Sequence, residues 1–392
     1  MRWQWCFGWA VVVGFYLSGT SEVSACPFCS APTLTLAEQL QASQSTALVQ
    51  WVGGKEADPD EGFAGVTEYE IVRMVNDESS TLKKGERVTL ERYRQAGKGD
   101  LFLLLGNVID EKIEWSSPLE VTETSFNYIV QAPSTDAPTT ERLRYYMKFL
   151  EYPDELIATD AYGEFANAPY ADITPLSKEM PREKLREWLR DESTVPTRIG
   201  LYGLMLGLCG NADDAIFLKE KIMEPTEDFR LGIDGVMGGY LLLAGESGLE
   251  LIDQEKLANR NVQFSETFAA MQALRFMWTY GDGRIDKERL RKSMRLLLDR
   301  PELTDLVVAD LARWDDWSVL DRLMDMYGTG DYDIPSIKRA IVRYLLVASK
   351  GKNKKGGGPD AATAEKAKKL LDKLRQEDPK TVQSAERFFF LK

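Results

Sequence analysis

Four stretches of the sequence repeat one pattern. RIGLYGLMLGLCGNADDAIFLKEKI from Arg198, RLGIDGVMGGYLLLAGESGLELIDQEKL from Arg230, TFAAMQALRFMWTYGDGRIDKERLRKSM from Thr267 and LTDLVVADLARWDDWSVLDRLMDMY from Leu303 each read as a long apolar helix, a short turn and an amphipathic helix. Their starts lie about 32 to 37 residues apart, and the turn after each first helix carries acidic or glycine residues (Asp213, Glu246, Asp282, Asp315). A helix pair of this size cannot bury its apolar side alone, so recurrence at this period predicts pairs stacked on one another. A last helix, IPSIKRAIVRYLLVAS, starts at Ile334, and TTERLRYYMKFLEYPDELIATDAYGEFANA (139–168) predicts an earlier, divergent pair.

The chain changes character near residue 138. From Ala47 to Val130 the pattern is strand-like: ALVQWVGG, VTEYEIVRMV, RVTLERY, DLFLLLG and FNYIVQA, with turns such as Lys83-Lys84-Gly85 between them. About five strands in so short a span predict a small closed or sandwiched β-domain. Ahead of it, Thr35 and Glu38 stand at capping-box spacing and predict a helix over Thr35 to Ala42. At the other end ATAEKAKKLLDKLRQE (362–377), with Ala367, Leu370, Leu371 and Leu374 on one side, predicts an amphipathic helix that covers the last pair, with Phe388-Phe389-Phe390-Leu391 tucked in or offered to a partner.

These patterns carry two resemblances. The recurring pairs resemble HEAT repeats, although Arg198 and Arg230 open first helices rather than second ones. The N-terminal segments ALVQWV, TEYEIVRMV, LKKGERVTL and GDLFLLLG, following a Cys and a short helix, resemble the OB-fold domain shared by tissue inhibitors of metalloproteinases and netrin C-termini. This chain has C-P-F-C where those inhibitors carry C-x-C, and no cysteine lies between Ser30 and Leu208 to rebuild their disulfides. The implied fold class is multidomain, β then all-α: a small OB-like β-barrel followed by a HEAT-like, armadillo-type α-solenoid. The implied boundaries are a signal peptide at 1–25, the β-domain at 26–132, a linker at 133–138, helical repeats at 139–349, a Lys/Gly linker at 350–359, and a capping helix and tail at 360–392.

The N-terminus sets the expected compartment. Arg2, an apolar run from Trp3 to Leu17 and the small residues Val23-Ser24-Ala25 form a secretory-signal layout that predicts cleavage between Ala25 and Cys26. The run has about 15 residues where a bilayer span takes roughly 20, which favours removal over an uncleaved anchor. Val23-Ser24-Ala25-Cys26 also satisfies a bacterial lipobox, so Cys26 is a lipid site or one end of a disulfide with Cys29. Both outcomes describe a bacterial-type exported protein, periplasmic or secreted, that touches a membrane only through an uncleaved signal or a lipidated Cys26. Of the four cysteines Cys6 leaves with the signal, and Cys209, in the apolar run IGLYGLMLGLC, is expected to be a buried free thiol.

Much chemistry is excluded. The chain has no histidine, which removes Ser-His-Asp and Cys-His catalysis and the usual zinc and iron sites. It has no phosphate loop, dinucleotide fingerprint or G-x-S-x-G, so neither a cofactor, a metal nor a catalytic residue is expected. Cys-Pro-Phe-Cys looks like the thioredoxin and glutaredoxin motif, but no strand precedes it to set up that site. A net charge of −13 repels nucleic acid and favours a basic partner. Trp278, Trp314 and Trp317 fall at helix ends, where packing between neighbours predicts their burial; the adjacent Tyr145 and Tyr146 point to different sides of one helix.

Three functions fit these observations. One is a non-catalytic extracytoplasmic scaffold that binds a protein or cell-surface polymer on its helical surface. The second, implied by the inhibitor resemblance, is a metalloprotease inhibitor acting through Cys26. The third is a thiol-disulfide protein using Cys26 and Cys29. All three begin from export, and mass spectrometry of the native protein is expected to find Cys26 as its first residue; finding Met1 would overturn the export reading.

Overall fold

A computed structural model describes residues 25–29, 34–58, 60, 62–77, 82–110, 112–352 and 357–387. The signal-peptide expectation (apart from Ala25), most of the basic run at 352–355 and the Phe388–Leu391 motif lie outside the described residues.

Helix α1 (Leu36–Gln41) forms where its cap predicts: Glu38 N–H donates to the Thr35 hydroxyl at 3.3 Å and Thr35 N–H donates to the Glu38 carboxylate at 2.8 Å. Six strands follow: β1 (Ser45–Lys55), β2 (Val66–Asp77), β3 (Arg87–Leu90), β4 (Leu101–Ile109), β5 (Lys112–Trp115) and β6 (Leu119–Val121). All pair antiparallel in one sheet of order β3-β2-β1-β4-β5, with β6 also on β4. Alternation sorts the side chains. Ala47, Val49, Tyr69, Ile71, Phe102 and Leu104 form a small core on one face, while Leu48, Leu103 and Leu105 join the helical core on the other.

Two β expectations need correction. FNYIVQA is not a strand but most of helix α2 (Glu123–Gln131), because Ser125 N–H donates to the Thr122 hydroxyl at 3.0 Å and Thr122 N–H to the Ser125 hydroxyl at 2.8 Å. This reciprocal cap outweighs the β-propensity of Phe126, Tyr128 and Ile129, whose burial at helical spacing seals the choice. The sheet, moreover, is not a closed barrel: among the described residues no strand pairing joins β3 to β5. The register of β1 against β2 shifts at three points, which adds twist. The two edges are bridged instead by Arg92, whose guanidinium donates to the Trp115 carbonyl at 3.0 Å and to the Ser116 carbonyl. A cleft of about 820 Å³ lies between them.

Helices make up the rest: α3 (Thr139–Tyr146), α4 (Glu155–Asn167), α5 (Tyr170–Ile173), α6 (Arg182–Arg190), α7 (Pro196–Cys209), α8 (Ala212–Met223), α9 (Ile233–Ile252), α10 (Phe264–Tyr280), α11 (Lys287–Leu296), α12 (Pro301–Arg313), α13 (Leu320–Met326), α14 (Pro335–Ala348), α15 (Ala361–Glu377) and α16 (Pro379–Arg387). Helix α9 is broken at Gly245, where φ is +58°. Asp282 and Asp315 also have positive φ, +49° and +55°, in the turns after α10 and α12. Aspartate tolerates positive φ better than most residues, which explains its presence at these two turns. Asp213 acts differently, sitting in the first turn of α8 behind the Asn211 cap.

The long helices pack on one another, α7 on α9, α9 on α10 and α12 on α14, while α15 and α16 lie against α14. Buried carboxylates tie the pairs laterally. Asp214, fully buried, is held by Arg182 at 2.7 Å and Arg186 at 3.1 Å; Asp310 by Arg275 at 2.6 Å; and Asp316 by Arg295 at 2.6 Å. Glu266, on α10, accepts from Arg230, before α9, at 2.6 Å and from Lys256, after it, at 2.8 Å. Trp278 and Trp314 stack at 4.3 Å, and Trp317 lies on Tyr344 at 5.1 Å. Tyr146 is fully buried, whereas Tyr145 is half-buried and donates to the Tyr128 carbonyl at 2.7 Å. One apolar core runs from Cys26 to Ala385, so the segment 133–138 is a turn across which the core is continuous.

The α7–α9 contact is the tightest. A Cβ on Gly239 would stand 2.0 Å from the Gly203 carbonyl oxygen, and one on Gly207 would stand 2.3 Å from the Gly239 Cα. Here backbone meets backbone, which only glycine permits. Gly239→Ala is expected to lower the unfolding free energy by about 1–3 kcal/mol or more in urea titration. Gly53→Ala, where an added Cβ meets nothing within 4 Å, is the control; equal effects would refute the close approach.

Candidate functional site

Cys26 and Cys29 are joined by a disulfide across Pro27 and Phe28. The loop is packed into the helical part. Cys26 is 6 % exposed, and its N–H donates to the Ala166 carbonyl at the end of α4 at 3.2 Å. Phe28, 7 % exposed, enters between α7, α9 and α10: its ring centroid is 4.8 Å from that of Phe276, and it covers Gly238, where a Cβ would come within 2.6 Å of the ring. Gly200 leaves room for the Phe28 carbonyl in the same way. Ala25 is exposed just outside this contact, and Cys29 is half-buried.

The segment beyond is held by α4. Leu36 N–H donates to Asp160 Oδ1 at 2.6 Å, and the Tyr128 hydroxyl donates to Oδ2 at 2.7 Å, so the carboxylate links α1, α2 and α4. Burial pushes the Asp160 carboxyl above the ordinary aspartate range, against the opposing pull of those two hydrogen bonds. One turn on, Glu164 is raised chiefly by burial although Arg142 lies 2.5 Å away. Desolvation raises Tyr128 as well, reinforced by the Asp160 charge. A cavity of about 330 Å³ beside Asp160 is lined by Leu36, Thr159, Tyr162 and Arg198, but both Asp160 oxygens are already engaged. The carboxylate joins helices.

A second cavity lies elsewhere. Between α12 and α14 a half-open groove of about 420 Å³ has Val308, Ala309, Ala312, Ala340 and Val347 as its apolar lining and Arg313, Arg339 and Arg343 along it. Arg339 and Arg343 are half-buried and make no hydrogen bond or ion pair among the described residues. Arg313 pairs only within its own helix, with Asp310 at 3.1 Å, and is 66 % exposed.

The structure thus brings Cys26 and Cys29 together and leaves Cys209 apart from them. Cys209 is a free thiol, half-buried rather than buried as its apolar run suggests, because it falls on the last residue of α7. Burial, then the nearby Asp214 carboxylate, pushes it up to about 11. Among the described residues no group of three or more His, Cys, Asp or Glu side chains is placed to hold a metal ion, and no helix is long and apolar enough to cross a membrane. Phe28, Asp160 and the groove arginines escape sequence reasoning. The arginines alone leave a signal: α14 carries Lys338, Arg339 and Arg343 and no acidic residue.

No protein-family model matches the chain, and no curated protein matches it. Phe28→Ala is expected to cost about 3–5 kcal/mol in urea unfolding of the full chain. Replacing Cys26 and Cys29 together by Ser removes only a very short loop closure, worth about 2 kcal/mol. A larger loss from the cysteine pair than from Phe28 would show that the covalent link, not the ring, anchors the segment.

Proposed function

We propose that this chain is a non-catalytic binding or scaffold protein of an extracytoplasmic compartment. Its helix pairs form a HEAT-like stack, its curled sheet is OB-like with Arg92 in place of the closing strand pair, and the partner is a protein or cell-surface polymer held on the helical side. The observation that carries this reading is the use of the cysteine loop in packing. A thiol-disulfide catalyst needs an accessible attacking sulfur, and Cys26 is 6 % exposed. A zinc-chelating inhibitor needs the α-amino nitrogen and carbonyl of an N-terminal Cys26 free to face the metal, yet that nitrogen donates to the Ala166 carbonyl. A disulfide persists in oxidising compartments, which agrees with export.

The experiment uses the full mature chain as bait on extracytoplasmic extract at low and high salt, because one continuous core argues against dissecting it. A retained partner, also retained by the Cys26→Ser/Cys29→Ser variant, is expected, together with no turnover in a disulfide-reductase assay. Capture of nothing at low salt, or turnover of disulfide, would overturn the reading.

A further inference from the structure

The net charge of −13 favours a basic partner, but the charge along the groove between α12 and α14 is positive. We infer that the α12–α14 groove takes an acidic, apolar peptide segment of the bound partner, its carboxylates meeting Arg339 and Arg343. This rests on the reading of the helical part as the binding surface.

The argument begins from a regularity: half-buried arginines elsewhere among the described residues are paired, as Arg142 with Glu164, Arg275 with Asp310 and Arg289 with Asp253. Arg339 and Arg343 depart from that rule, and they do so one helical turn apart, a spacing that sets Cβ atoms about 5–6 Å from each other. Arg313 adds a third positive charge from the facing helix. The only acidic lining residue is Asp305, one oxygen of which accepts from Leu306 N–H at 2.9 Å. An anion is therefore selected.

Shape selects among anions. The lining runs along α12 from Asp305 to Arg313, about 12 Å of helix, beside the matching stretch of α14. Ala309, Ala312 and Ala340 keep it hollow, and Leu306, 38 % exposed, extends the apolar lip. A fatty acid requires a pocket that encloses most of its chain. This groove is open on one side, which suits a segment laid lengthwise with one face in contact, its apolar residues on the alanines and carboxylates one turn apart over the arginines.

The test is fluorescence anisotropy of the full chain with a labelled fifteen-residue amphipathic peptide carrying Leu on one face and Glu at one-turn spacing, against the same peptide with Lys for Glu. The Glu peptide is expected to bind and the Lys peptide not. Arg339→Glu/Arg343→Glu is expected to weaken binding by about tenfold or more. Ala312→Trp, which fills the groove and keeps its charge, should weaken it similarly, with unfolding midpoints recorded for both variants. Failure of the Glu peptide to bind, equal binding of the Lys peptide, unchanged affinity in either folded variant, or displacement of the peptide by palmitate would overturn the inference. Deletion of residues 388–392 is expected to leave peptide affinity unchanged, and a gain would assign the groove to the chain's own tail instead. If the Glu peptide fails while wild type and Arg339→Glu/Arg343→Glu retain the same extract partner, this inference falls and the scaffold reading stands.

Discussion

The backbone contact between α7 and α9 is the constraint on which the rest of the structure depends. Gly203 and Gly207 on one helix meet Gly235 and Gly239 on the other at distances that leave no room for a Cβ. The approach draws Gly200 and Gly238 into position beside Phe28, so the same seam that stacks two helix pairs receives the N-terminal loop. From that loop the order extends through Leu36 and Asp160 to Tyr128, and hence to the sheet side of the molecule. Opening the seam by the width of one methyl group would disturb all of these contacts, since packed interiors transmit small displacements rather than absorb them.

Charge is distributed with a comparable division. Most arginines of the helical part face a carboxylate of a neighbouring element, and several of those carboxylates are nearly inaccessible, as with Asp214, Asp310 and Asp316. Such pairs add little net stability over apolar residues, but removing one member leaves an uncompensated buried charge, so they resist mispairing of otherwise similar helices. A chain of many apolar helices has need of that discrimination. The half-buried Arg339 and Arg343, outside this scheme, lie in one groove, so a chain of net charge −13 carries a local positive strip there.

The cysteine loop illustrates how context reassigns a motif. C-P-F-C read alone suggests redox chemistry, metal binding or lipid attachment. In the fold the residue that matters most is the one between the cysteines, because Phe28 fills the space between α7, α9 and α10, and the disulfide merely holds it in a short turn. Cys209, which composition leaves unpaired, lies at the end of α7 as a free thiol.

The sequence by itself determined that helices follow the sheet and that Asp282 and Asp315 stand in turns, because apolar spacing and the tolerance of Asp for positive φ are local properties read within one or two turns. It likewise determined α1 through Thr35 and Glu38, and the alternating strands from β1 to β4. Where local signals competed it misled: FNYIVQA has strand composition, and only the Thr122–Ser125 cap together with the burial of Phe126 and Ile129 against α4 and its neighbours made it a helix. Tertiary structure alone decided that the sheet stays open with Arg92 across its edges, that Phe28 is an anchor, that Asp160 is a junction, and that Arg339 and Arg343 share a groove with Arg313. Each of these joins residues distant in the chain, and no local periodicity records which helix faces will meet, because that is settled only by how closely the glycine seam lets the first pairs approach.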